Sequence, residues 1–290
     1  MAVSVSKTMM EKRELHGKAV YIFEDHNVAF AAWSEIKAAH EGELILLTFD
    51  HHTDVHEAFI GWAYKEIDPD LDGVSPLIEE RLARVNVQDE GSVREAVNDL
   101  RNDEQIDAAL RLGLFRLAFC FNNQDRNTWS IEQAKFFSGW VPGAAPLEPP
   151  FSYEVPKRRI FEIGEICAVG CERMPHTDDC SKPMAKQAIE SVMLEQMITK
   201  ANRMAAAADI EDVVKVPYVL DIDLDYFRTK AGLSPVDARV FHDLIRNAVA
   251  ITIATEPRFV RMERFDDVTS DYALEKVLEH IDEACQLDSW

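Results

Sequence analysis

Two short stretches concentrate the ionisable chemistry of this 290-residue chain. One is Asp50-His51-His52-Thr53-Asp54, at the end of an apolar run. The other is Asp221-Ile222-Asp223-Leu224-Asp225, within a second apolar run. Side chains alternate in an extended chain, so Asp50, His52 and Asp54 are expected on one side. By the same rule Asp221, Asp223 and Asp225 share a face. Three like charges a few ångströms apart repel strongly where solvent is scarce, and a bound cation is the simplest way to hold them. A wet, acidic strand edge would need no cation, but the flanks Val219, Leu220, Ile222 and Leu224 argue against one. Carboxylate-rich sets of this kind suit Mn²⁺ better than thiolate-seeking Zn²⁺. Glu24-Asp25-His26 and Glu256 add weaker signals, each just past a further apolar run.

Elements that could bring these residues together are legible around them. Runs at 19–23, 44–49, 115–121, 160–166, 218–224 and 250–254 read as strands. Their near-continuous hydrophobicity implies strands buried on both faces, as in a mainly parallel sheet covered by helices. Helical spacing appears at 93–112, 186–207, 235–249 and 271–287, with Ser234 and Pro235 in capping and first-turn positions of the third. The alternation predicts an α/β chain, a three-layer α/β/α sandwich forming one domain over 1–290. Open sheets of this class place their sites beyond the carboxyl ends of strands, where both acidic stretches fall. Two irregular segments interrupt the pattern, at 141–157 and 167–184. The first holds five of the twelve prolines and cannot be regular structure.

Composition narrows the partners. Fifty-two acidic residues against 31 basic ones give a net charge of −21, which repels phosphate backbones and anionic lipid. Nucleic acid and membrane are therefore not expected, whereas a cationic substrate would be drawn in. Lys7, Glu11, Lys12 and Arg13 precede any apolar run, so no secretory signal is expected. Apolar runs such as 28–33 are far too short to cross a bilayer. The expectation is a soluble, cytoplasmic protein whose five cysteines are free thiols.

The order Asp50-x-His52-x-Asp54, then Asp223-x-Asp225 late in the chain, resembles the binuclear manganese site of the arginase, agmatinase and deacetylase superfamily. The wording Leu47-Thr-Phe-Asp-His-His-Thr-Asp54, Val219-Leu-Asp-Ile-Asp-Leu-Asp-Tyr-Phe227 and Val20-Tyr-Ile-Phe-Glu-Asp-His26 is similar to a divergent branch, the peptide arginases. Those enzymes convert arginine side chains of ribosomally made precursor peptides to ornithine and urea. The resemblance implies an arginase-like sandwich and two Mn²⁺ per chain, other divalent metals being possible. It implies that His26, Asp50, Asp54 and Asp223 hold one ion, and His52 and Asp225 the other, with Asp50 and Asp223 bridging. Asp221 would stand behind the ligands or, by a shift of register, replace one. Glu256 would meet the guanidinium, and a hydroxide bridging the metals would attack its carbon. His56 is the candidate proton shuttle and His51 the runner-up, since histidine titrates near working pH. The implied partner is an arginine-containing precursor peptide.

Departures from the family pattern bear on substrate. Its Gly-Gly-Asp-His is Phe23-Glu-Asp-His26 here, and 55–64 replaces the serine- and asparagine-rich loop that reads the α-groups of free arginine. That favours an arginine whose α-groups are tied up in peptide bonds, with 141–157 and 167–184 shaping a peptide groove. Nearby alternatives are a hydrolase of a small guanidino compound, a one-zinc amide deacetylase, or a metal-stabilised peptide-binding protein. Three other motifs compete. Asp68, Asp70, Asp72, Gly73 and Glu79 match a twelve-residue calcium loop, although Ser75 replaces its usual aliphatic and Pro69 and Pro76 intrude. Cys167, Cys171, His176 and Cys180 have the residue types of a zinc site at irregular spacing. Asp221-Ile-Asp223 echoes the aspartyl-nucleophile phosphatases, a reading that leaves Asp50, His52 and Asp54 unexplained.

Overall fold

The computed structural model describes residues 10–67, 73–123, 153–165, 167–173 and 178–286. Seven strands form one sheet: β1 (Glu11–Leu15), β2 (Lys18–Phe23), β3 (Ile45–Asp50), β4 (Ala118–Asn122), β5 (Ile160–Gly164), β6 (Tyr218–Asp223) and β7 (Ala250–Ala254). Their spatial order is β1-β2-β7-β6-β3-β4-β5, and every pairing except β1–β2 is parallel. Alternate residues of each buried strand feed opposite layers. Val20 and Ile22 of β2, with Ile45, Leu47 and Phe49 of β3, enter one hydrophobic cluster; Tyr21, Phe23, Leu44 and Leu46 enter the other. Helices cover both faces, which makes a three-layer α/β/α sandwich.

All six strands expected from apolar runs form, with ends that differ from the expected ones by up to three residues in either direction. β1 was invisible to that criterion because Glu11-Lys12-Arg13-Glu14 is charged throughout. It is an edge strand, where charge blocks further pairing. The two-residue turn joining it to β2 uses His16 at φ 50° and Gly17 at φ 81°, as a primed hairpin turn requires.

On one face lie α1 (Ala29–Ala39), α2 (Ile60–Glu66), α3 (Ser75–Ala83), α4 (Glu90–Asp99) and α5 (Gln105–Arg111). The helix expected over 93–112 is thus two. It breaks at 100–104, where Asn27 Nδ2 donates to the carbonyls of Val97 and Leu100 at 2.9 and 3.0 Å and satisfies the end of α4. The break presents Asn102 and Asp103 towards the strand ends. Beyond β5 come α6 (Ser181–Ala185), α7 (Ser191–Ala205), α8 (Arg239–Asn247), α9 (Pro257–Glu263) and α10 (Ser270–Gln286). The expected cap by Ser234 and Pro235 does not form. Glu190 instead accepts the amides of Val236 and Asp237, so the chain stays extended until α8 begins at Arg239. Helices α1, α6 and α9 fall outside every stretch read as helical.

The sheet changes winding direction between β3 and β6. From β3 the chain moves outward through β4 and β5; from β6 it moves the opposite way to β7. Adjacent loops at such a switch point diverge and leave a crevice beyond the carboxyl ends of the strands. Residues 124–152, most of the expected 141–157 insertion, lie outside the described residues, as do 68–72 of the calcium motif. Among the described residues no helix is long and apolar enough to cross a membrane.

Candidate metal centre

Asp50 closes β3 and Asp223 closes β6, on neighbouring central strands at the switch point. The side-chain alternation expected beyond them does not continue. The strand stops at Asp50, and Asp54 adopts φ 46°, a left-handed conformation rare for a non-glycine residue. Past Asp223 the chain turns into a 3₁₀ helix, Leu224–Tyr226, and that turn delivers Asp225. Tight turns, rather than continued strands, bring these carboxylates together.

His26, entirely buried just after β2, sits at the centre. Its Nδ1 lies 2.9 Å from Asp54 Oδ2, 3.2 Å from Asp223 Oδ2 and 3.6 Å from Asp50 Oδ2. Beside this group, His52 Nδ1 is 3.1 Å from Asp225 Oδ2 and 3.9 Å from Asp50 Oδ1. Ligand atoms of His26, Asp50 and Asp223 fall within 4.8 Å of one another; so do those of Asp50, His52 and Asp225, and those of Asp223, Asp225 and Glu256. Asp50, Asp223 and Asp225 each belong to two of these sets.

Three of the aspartates share one arrangement. Asp50 Oδ1 accepts the amide of His52 at 2.7 Å, Asp223 Oδ1 that of Asp225 at 3.1 Å, and Asp225 Oδ1 that of His51 at 3.1 Å. One oxygen anchors the turn and the other is left over. His26 Nδ1, Asp50 Oδ2 and Asp225 Oδ2 are buried with no hydrogen-bond partner. An unpartnered buried polar atom costs about 1–3 kcal/mol, and more when charged. Three in one crevice are donor atoms that a cation could take up.

The electrostatics agree. Two carboxylates some 4 Å apart repel by about 4 kcal/mol even at an effective dielectric of 20, so a few such pairs rival the whole stability of a domain. Without a cation, protons must relieve the repulsion. Burial, with Asp54 and Asp225 adding to it, holds the Asp50 carboxyl well above its ordinary range. Burial and Asp225 push Asp223 up to about 7. His26 and His52 are desolvated, which alone would lower them. The surrounding aspartates win, raising His26 well above its usual value and His52 to about 9.

Asp221 stands apart. It accepts from Thr48 and His26 Nε2, each at 2.8 Å, and from Thr252 Oγ1 at 2.5 Å. Thr48, Asp221 and Thr252 are register partners across β3, β6 and β7, so the three hydroxyl and carboxyl groups form one line. Trp33 Nε1 donates to Thr252 from behind. Holding Nε2–H turns the His26 ring so that Nδ1 faces the aspartates, the carboxylate–histidine support common behind metal ligands. The sequence offered a signal for this line: a lone Thr inside each of Leu-Leu-Thr-Phe and Ile-Thr-Ile must find a hydrogen bond once buried.

Above the cluster opens a cavity of about 440 Å³, lined by four carboxylates, Asp54, Asp103, Asp223 and Glu256, against one cation, Arg101, with Asn102 and His56 also at its wall. Glu256 has φ 32°, a second strained non-glycine residue at the site. Its Oε1 accepts the His26 amide at 3.1 Å and the Asn102 side chain, while burial and Asp223 push its pKa up to about 10. His56 is on the exposed rim, its Nδ1 2.8 Å from Asp103 Oδ2. His51 is buried with both nitrogens taken, by Asn123 Oδ1 at 2.8 Å and Glu263 Oε2 at 3.2 Å. That removes it as a proton shuttle. Asn102, Asp103, Asn123 and Glu263 went unnoticed in the sequence, where each is an ordinary polar residue.

The competing motifs are placed elsewhere. Glu79 lies on α3, paired to Arg111, and Gly73 has φ 92°, while Asp68, Asp70 and Asp72 lie outside the described residues. No disulfide forms among the described residues. Cys171 and Cys180 sulfurs are 3.9 Å apart, Cys167 is raised to about 12 by burial and Cys171, and His176 lies outside the described residues. No family model matches the chain, and no curated protein matches its sequence.

Proposed function

We propose that the chain is a cytoplasmic hydrolase that holds two divalent metal ions, Mn²⁺ by preference, and converts arginine side chains in a peptide to ornithine and urea. The observation that carries this reading is the convergence of His26, Asp50, Asp54 and Asp223 beside His52 and Asp225, with three buried ligand atoms left unpartnered. The ligand set fits the ions: four carboxylates and two imidazoles, hard donors in two groups that share Asp50 and Asp223. His26, Asp50, Asp54 and Asp223 would hold one ion and His52 and Asp225 the other. When bound, such ions supply Lewis acidity and a water of lowered pKa.

The chain's own groups account for the rest. The acidic cavity and the net charge of −21 favour a cationic side chain. Glu256 keeps Oε1 fixed by two donors, and Oε2 makes no hydrogen bond among the described residues. It is available to accept from a guanidinium N–H and orient the carbon towards the cluster. Asp103 accepts from His56 Nδ1, which leaves Nε2 at the rim to give a proton to the departing ornithine amine.

The test is urea release from an arginine-containing peptide by Mn²⁺-loaded protein, against free arginine and agmatine, with Asp50→Asn as control. Turnover of the peptide alone, lost in Asp50→Asn, is the expected result. Release from agmatine or free arginine instead would assign a small guanidino substrate. Peptide binding with no urea, unchanged in Asp50→Asn, would overturn the hydrolase reading.

A further inference from the structure

Away from the strand ends, one more set of ligand atoms converges on the outer helical layer. His242 stands on α8, His280 and Glu283 one turn apart on α10, and the three offer ligand atoms within 4.8 Å of one another. His242 Nε2 lies 3.0 Å from His280 Nδ1 and 3.8 Å from Glu283 Oε2. His280 Nε2–H donates to the Leu233 carbonyl at 3.0 Å, so its lone pair sits on Nδ1, facing His242. The His280 ring is also braced edge-on by Phe241, with centroids 5.6 Å apart. Glu283 makes no hydrogen bond among the described residues. Arg246, the nearest cation, is occupied by Asp243 and the Ala284 carbonyl.

We propose that His242, His280 and Glu283 form a mononuclear site for an imidazole-seeking divalent ion, Zn²⁺ first, that clamps α10 to α8. Tetrahedral zinc with nitrogen ligands at about 2.0–2.1 Å sets neighbouring donor atoms about 3.3 Å apart, between the two separations observed. An imidazole whose far nitrogen donates to a backbone carbonyl is the usual support of a metal-binding histidine, and His280 has it. The donor set differs from that of the strand ends: two nitrogens and one oxygen suit zinc, nickel or copper, whereas the carboxylate-rich crevice suits manganese. The fourth position faces solvent on the side of the exposed Glu283, open to water. The site does not depend on what the strand-end cluster binds.

The experiment adds Zn²⁺ to full-length protein kept in excess Mg²⁺, a diamagnetic occupant for the carboxylate cluster, and follows histidine ring signals by NMR together with the melting temperature. One equivalent is expected to move the rings of His242 and His280. At a hundredfold excess over Kd the melting temperature should rise by roughly 5 °C or more. H242Q should abolish the rise and E283Q, altering an exposed side chain, should reduce it. Because His280 also holds Leu233, these two variants carry the test if H280Q fails to fold. Repeating the titration in Asp50→Asn separates the two centres, since the helix site should respond unchanged there. Ring signals that stay put, or an equal thermal response in wild type and H242Q, would overturn the site.

Discussion

The segments after β3 and β6 look alike in sequence, each placing three ligand-type residues two apart, yet the fold treats them differently. Asp50, His52 and Asp54 all turn into the crevice. Of Asp221, Asp223 and Asp225, only the last two do, because Asp221 is already claimed by Thr48, Thr252 and His26. Spacing identifies a group of acids. Which of them is left to hold a cation depends on which donors the neighbouring strands bring to it. A carboxylate with three protein donors keeps at most one of its roughly four acceptor sites, whereas Asp50 and Asp225 each keep a whole buried, unpartnered oxygen.

The sharpest way to break this contrast is to neutralise an open acid. Asp50→Asn removes a charge shared by two ligand sets, so metal content should fall below two ions per chain and turnover should drop to background. Elemental analysis and the urea assay read both. Full activity in Asp50→Asn would mean the crevice is not where the chemistry occurs. Next in size is His56→Gln. Loss of a proton-transfer group costs typically about 10²–10⁴-fold in turnover, with metal content unchanged. A parallel loss of metal would instead make His56 part of the cluster's scaffold. Asp221→Asn should lie below both: it leaves every open ligand in place but loosens His26, so metal affinity should weaken by about 10- to 100-fold, with turnover recovered at saturating Mn²⁺. A loss that excess metal cannot repair would show that Asp221 binds directly.

The same contrast marks how far the sequence could be read. Six buried strands were legible because parallel strands covered on both faces are apolar at nearly every position. Asp50, His52, Asp54, Asp223 and Asp225 were legible because charge at the end of such a run is costly unless something receives it. His26 was the weakest of the set in sequence, one imidazole at one strand end, yet it occupies the centre. Its importance comes from β2 lying beside β7, which in turn lies beside β6, a placement that only the topology decides. Asn102 and Asp103 were hidden for another reason: periodicity carried one helix through 93–112, and the break there is made by Asn27, some seventy residues upstream. The left-handed turns at Asp54 and Glu256 carry no residue signature, since neither is glycine.

The smallest expected effect concerns the open acids before any ion binds. Asp223 rises from the ordinary carboxylate range near 4 to about 7, and His52 rises to about 9. Both shifts have one sign: the folded state binds protons more tightly than the unfolded chain. Stability contributed this way is fully present below the unfolded values and is lost as pH climbs through the folded ones. Asp225, held low chiefly by His52 against its own burial, changes proton binding only below the unfolded carboxylate value near 4 and so leaves this window unaffected. Metal-free protein should therefore lose stability as pH rises from about 4 to about 7, and further towards 9. Each unit of net shift on the buried Asp223 is worth about 1.4 kcal/mol, or roughly 3–5 °C in melting temperature for a chain of this size, and a unit on the part-exposed His52 is worth less because solvent screens it. Mn²⁺ should reverse the slope, because ligands must shed protons to bind it and affinity then grows with pH. Melting curves across pH, with and without Mn²⁺, decide the matter. Parallel curves would mean that protons and cations do not compete for the oxygens that Asp50, Asp223 and Asp225 leave open.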